Sequence, residues 1–188
     1  MNYIQQGLTG KIGTWKYLII PILFFGLMGL NFLAISLLDL DVDKIIKDEI
    51  ANKGTNRFLV ESLIPFAIGL FSLFFWVKYV HSQTITSLTT SRKKIDWKRI
   101  FFAFTLWGII TISFLMIDYF SSPENYINNF NLEAFLILAT IGILLIPIQT
   151  SFEEYFFRGY LMQGIGIVSK NRWVPLILTS VIFGLLHI

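Results

Sequence analysis

No cysteine occurs anywhere in the 188 residues, and there are only two histidines. The first absence excludes disulfides and thiolate metal sites. The second leaves His81 and His187 as the sole imidazoles for acid–base work or metal ligation. Charge is scarce too: Asp, Glu, Lys and Arg make up 14% of the chain, against about 25% in ordinary soluble domains. A soluble chain of this length needs more polar residues than that to cover its core. Internal repeats, low-complexity tracts and a soluble domain are all lacking.

What is present is apolar and comes in blocks. Hydrophobic residues make up 55% of the chain and aromatics 16%. Residues 17–38 contain no charge, and 62–77 are uncharged between Glu61 and Lys78. Residues 100–117, 134–152 and 173–188 complete the set. A bilayer core takes about 20 mostly apolar residues as helix, so the blocks predict spans over about 17–38, 58–80, 100–117, 132–152 and 173–188. Glu61 and Lys78 fall inside the second and snorkel toward the headgroups. The first block is longer than the apolar core of about 7–15 residues in a cleavable signal. Barrel strands alternate apolar and polar residues, whereas Leu18 to Phe25 shows no alternation. A helix satisfies its own backbone in lipid, so the fold class is all-α: a polytopic transmembrane helix bundle of about five spans forming one membrane domain, 1–188. Pro21, Pro65 and Pro147 are expected to kink their helices without ending them. The loop 39–57 has room for a short polar helix.

The basic residues set an orientation. With the amino terminus in the cytoplasm, Lys11, Lys16, Lys78, Arg92, Lys93, Lys94, Lys98, Arg99, Arg158, Lys170 and Arg172 face inward, and Lys44, Lys47, Lys53 and Arg57 face outward. That places 11 of the 15 on one side of a single alternating path, as the positive-inside rule asks. The basic stretch 92–99, lying beside two spans, reads as an anchor on anionic lipid and not as a nucleic-acid surface. The expected location is a bacterial cytoplasmic membrane, with lipid as a partner. His81, in the polar loop after the second span, reads as a solvated interfacial residue.

The chemistry concentrates after Leu144. Two adjacent carboxylates, Glu153 and Glu154, follow nineteen uncharged residues, and Arg158 stands four positions after the second. On a helix Glu154 and Arg158 share a face and form an i,i+4 ion pair. Glu153, rotated by about 100°, points elsewhere. One carboxylate is thus neutralised while the other stays free to handle protons, the division a general base requires. His187 is an ionisable residue in an apolar run, which marks it as a candidate functional residue, and Phe183 precedes it by one turn on the same face. Read without that partner chemistry, the glutamates would be an ordinary ion pair on a wet helix end, and His187 a capped or headgroup-wetted histidine.

Glu153, Glu154 and Arg158 in the pattern Glu-Glu-x-x-x-Arg, followed by Phe183 and His187 in Phe-x-x-x-His, resemble the first two motifs of the CAAX-protease and bacteriocin-processing family of intramembrane endopeptidases. Phe157-Arg158-Gly159 and the upstream Pro147 extend the resemblance, which is motif-specific over 147–188. It implies peptide-bond hydrolysis within the membrane by an activated water, with Glu153 as general base, His187 as its partner and Glu154 as a supporting carboxylate oriented by Arg158. The implied substrate is a protein or peptide, prenylated or membrane-inserted. The family is usually named a metalloprotease, yet a metal-free, glutamate-based mechanism has also been argued for it, so a divalent metal such as zinc is an open expectation. If a metal takes part, Glu153 and His187 are its expected ligands, although adjacent glutamates diverge on a helix and catalytic zinc normally takes three protein ligands. The family's third motif, a later histidine, is not found before Ile188. The expectation is an amino-terminal fragment, inactive alone, whose oxyanion-binding groups lie downstream.

Two other classes compete with the hydrolase. A non-catalytic relative, such as a bacteriocin self-immunity or scaffolding protein, would keep its function without Glu153. A proton or ion transporter subunit would carry ionisable residues midway along several spans, and the first and third contain none.

Overall fold

A computed structural model describes residues 3–11 and 13–187. A 3-10 turn over Ile4–Thr9 precedes α1 (Thr14–Leu37), α2 (Val42–Lys53) and α3 (Thr55–Phe75). The short α4 (Ile85–Thr89), α5 (Trp97–Ser121), α6 (Leu132–Glu154), α7 (Met162–Ser169) and α8 (Trp173–Leu185) follow. Two helices widen into π turns at their carboxyl ends: α3 continues through Trp76–Val80, and α6 through Tyr155–Leu161 into α7. No strand occurs among the described residues. The fold is all-α, as the composition demanded.

Four helices are long and apolar enough to cross a bilayer: Trp15–Leu37, Thr55–Val80, Trp97–Ser121 and the continuous run Leu132–Ser169. The fifth expected span is shorter. Helix α8 has 13 residues, about 20 Å at 1.5 Å per residue against a hydrocarbon core of about 30 Å; Ile188 lies outside the described residues. The fourth is longer than the block 132–152, because the apolar aromatic run after the glutamates stays helical. Pro21, Pro65 and Pro147 lie inside α1, α3 and α6 without ending them. The loop 39–57 does hold a polar helix, α2, capped by the Asp41 carboxylate accepting from the Lys44 amide at 3.0 Å. Phe101, Phe104, Trp107, Phe114 and Phe120 all stand exposed on α5. So much aromatic surface belongs in lipid, and the chain is an integral membrane protein.

The tightest packing joins α3 to α6. Gly69 lets the Phe152 ring lie against the α3 backbone: a Cβ there would meet the ring's Cε2 at 2.7 Å. Phe152 also faces Phe24 of α1 and Phe66 of α3 and stacks on Phe156 at 5.7 Å. One end of the bundle is polar inside. There the 3-10 turn, the start of α1, the segment 81–90 and α7 come together. Gln83 Nε2 donates to Gln163 Oε1 at 2.8 Å, and Gln163 Nε2 donates to the Tyr3 and Ser87 carbonyls. The start of α1, the end of α3 and the far end of α6 thus share one side, the parity that an alternating path through the membrane requires.

His81 corrects the expectation of a solvated loop residue. It is 1% exposed, 4.2 Å from the Tyr17 ring between centroids, and its Nε2 lies 3.1 Å from the Tyr160 hydroxyl. That hydroxyl spends its own proton on the Lys16 carbonyl at 2.9 Å, so it accepts from His81, which fixes the Nε2–H tautomer. Burial, aided by the Lys16 ammonium, pushes the imidazole pKa down to about 4 from an ordinary 6.5, with a hydrogen bond at the Lys11 backbone opposing. The unfolded chain therefore takes this proton near pH 6.5 and the folded chain only near pH 4. Stability is complete above pH 6.5, falls through that window and levels off below it.

Two outcomes are expected from thermal unfolding in detergent. Gly69→Ala lowers stability by about 1–3 kcal/mol through overpacking, while Gly26→Ala, with nothing within 4 Å, costs nothing. Between pH 7 and pH 4.5 the wild-type midpoint falls more than that of His81→Gln; parallel curves would remove His81 as the source.

Candidate active site

The site is built by a hairpin. At the end of α7 the chain turns back through Lys170, whose φ of 53° is left-handed, and its amide closes on the Gly166 carbonyl at 3.1 Å. Asn171 Oδ1 then accepts from the Trp173 amide at 2.9 Å to start α8. Helix α8 runs back along α7 and the π stretch, which carries its last turn to the level of the glutamates. The two motifs, about thirty residues apart in sequence, meet there.

His187 Nε2 lies 3.9 Å from Glu153 Oε2. Its Nδ1 is 2.7 Å from the Phe183 carbonyl. That carbonyl is free because the His187 amide bonds to Gly184 instead, leaving an orphan acceptor at the helix end. A carbonyl only accepts, so Nδ1 carries the proton. In the neutral ring Nε2 then points a lone pair at the carboxylate. Two acceptors facing each other across 3.9 Å are too far apart for a direct hydrogen bond and call for a shared proton donor or a cation between them.

Glu153 is positioned from its own helix as well: Gln149 Nε2 donates to its other oxygen, Oε1, at 3.4 Å. Sequence reasoning passed over Gln149. The signal was an amide four residues before a glutamate, in an otherwise apolar run. Glu154 takes the role its spacing predicted, with Arg158 Nη1 at 2.6 and 2.7 Å from its two oxygens. This ion pair opens on a cleft of about 460 Å³ lined in part by Thr89, Thr150, Ser151 and Tyr155. The two carboxylates therefore serve different partners.

Phe183 ties the motifs together. The Arg158 guanidinium lies 5.4 Å from its ring centroid, Phe157 meets the ring edge-on at 5.2 Å, and the His187 imidazole is 4.4 Å away. The phenylalanine orients both the arginine and the histidine, in a cation–π and aromatic arrangement. Glu153 lies about 32 Å along the helix from Leu132, a length comparable to the thickness of a hydrocarbon core.

No group of three His, Cys, Asp or Glu side chains converges among the described residues. Glu153 Oε2 and His187 Nε2 are two donors, one short of the usual catalytic three, so these residues alone do not complete a zinc site. A double-mutant cycle with Glu154→Gln and Arg158→Gln, read by unfolding in lipid nanodiscs, is expected to give a coupling on the order of 1 kcal/mol; strict additivity would mean the pair is solvent-screened.

Residues 131–188 match the family model of the type II CAAX prenyl endopeptidase Rce1-like proteins. The chain is also 30% identical over 197 aligned residues to the uncharacterized protein YyaK of Bacillus subtilis (strain 168). The alignment takes in the whole chain but 65% of that relative's length. No solved structure gives a significant match. The match over 131–188 takes in both motifs and bears out the resemblance drawn from them.

Proposed function

We propose, on the premise that residues 131–188 fall in the type II CAAX prenyl endopeptidase-like family, that the protein is an intramembrane endopeptidase in which Glu153 and His187 activate one water. The observation that carries this reading is the 3.9 Å approach of Glu153 Oε2 to His187 Nε2. A water lying about 2.8 Å from each atom donates one hydrogen to the carboxylate and the other to the imidazole. Its lone pairs then face outward, toward the carbonyl of a bound peptide.

Glu153 takes the proton as the water attacks, the task of a general base. His187 holds the water in line and stabilises the carboxylic acid that forms. The proton passes from Glu153 to the leaving amine as the carbon–nitrogen bond breaks. Gln149 keeps the other carboxylate oxygen occupied, so only one faces the water. Glu154, paired with Arg158, contributes orientation through Phe183, not proton transfer. A divalent cation held by Glu153 and His187 would polarise the same water and would need at least one further ligand.

The substrate in this reading is a peptide segment reaching the inner lipid boundary, prenylated or membrane-inserted. The location is the cytoplasmic membrane of a bacterium, with the amino terminus inside. Neo-termini in the membrane proteome are the direct test. Cells making the full-length wild-type protein should accumulate cleaved products that vanish with Glu153→Gln or His187→Leu, a loss of 10²-fold or more. Glu154→Gln should fall by about tenfold. An unchanged pattern with Glu153→Gln would sink the hydrolase and favour a scaffolding or immunity role.

A further inference from the structure

We propose that the segment 81–90, between α3 and α5, is a positioning clasp: Thr89, Leu88 and His81 hold the π-helical stretch so that Glu153 and Glu154 keep their separate directions. This inference rests on the endopeptidase reading above.

The π stretch is where the clasp acts. Tyr155–Leu161 begins on the residue after Glu154. A π turn is a local insertion into the α pattern, costly by itself and held where its surroundings over-determine it. The contacts from 81–90 fall on this stretch in order. The Thr89 hydroxyl lies 2.9 Å from the Tyr155 hydroxyl, and it spends its own hydrogen on the Ile85 carbonyl at 2.8 Å, so Tyr155 is the donor. Leu88 lies over Gly159, where a Cβ would stand 3.3 Å from its Cγ. His81 donates to Tyr160, as derived above.

The segment is itself anchored. The Tyr3 hydroxyl donates to the Leu88 carbonyl at 2.5 Å, and the Lys11 amide donates to the His81 carbonyl at 2.6 Å. Gly10 passes so close to that carbonyl that a Cβ would lie 2.3 Å from it. The glutamates are bracketed on the other side by Phe152, fixed against Gly69. They therefore sit between two immobilised neighbours, Phe152 and Tyr155, and any slip of the π register would rotate them relative to His187. None of the three clasp residues touches the water or the peptide in this reading, so they position and do not catalyse.

The test measures kcat and KM separately, with the whole protein in vesicles and a farnesylated, quenched-fluorescence CAAX peptide as probe. Thr89→Val and Tyr155→Phe should each lower kcat about tenfold with KM within about twofold, the mark of misplaced groups and not of lost binding. The double variant should be no slower than either single one, because both break the same bond. Thr89→Ser, which keeps the hydroxyl, should restore kcat; a purely structural role would follow the unfolding midpoint instead. Unchanged kcat in Thr89→Val and Tyr155→Phe overturns the clasp while leaving the endopeptidase intact, and so does a change confined to KM. A wild-type protein no faster than Glu153→Gln on the probe overturns the endopeptidase reading and the clasp with it.

Discussion

One short approach organises this chain: a carboxylate from a long transmembrane helix and an imidazole from the shorter helix that folds back along it. Glu153 and His187 are separated by a hairpin whose turn depends on the left-handed Lys170 and the Asn171 cap. The return helix regains the level of the glutamates over its 13 described residues, about 20 Å.

The second constraint is polar burial at that end of the bundle. Tyr3, His81, Gln83, Tyr160 and Gln163 are mutually satisfied or bonded to carbonyls. Buried polar groups left unpaired would each cost about 1–3 kcal/mol, so this network specifies one arrangement and disfavours slipped ones. The glycines at 7, 10, 164 and 166 bring the backbones close enough for it to form. The lipid-facing helices can tolerate variation in their apolar residues; the polar end cannot.

How much was legible in the sequence follows from which forces are local. Hydrophobic blocks gave the spans because helix formation in lipid depends on composition over about 20 residues. The Glu154–Arg158 pair was legible because i,i+4 spacing fixes it within one turn. The meeting of Glu153 with His187 could not be read from spacing alone; it was reached through the motif resemblance, and the hairpin supplies its physical basis. His81 reads as solvated from its polar neighbours Ser82 and Gln83, whereas its burial comes from Gly10, Lys11, Tyr17 and Tyr160, far away in sequence. The Thr89 partner of Tyr155, 66 positions away, likewise becomes visible only when the segments pack. The extension of α6 beyond residue 152 was hidden by the charges at 153, 154 and 158, which ended the apolar count without ending the helix.

The proposed chemistry requires one carboxylate beside one ring nitrogen, and a distance measurement in a bilayer addresses that juxtaposition without any substrate. Solid-state NMR recoupling between a 13C-labelled Glu153 carboxyl and a 15N-labelled His187 Nε2 reads that separation. A weak but resolvable dipolar coupling, as the 3.9 Å approach of Glu153 Oε2 to His187 Nε2 requires, is the predicted result. Absence of coupling in a folded sample, with the carboxyl turned to lipid or bulk water, would contradict it.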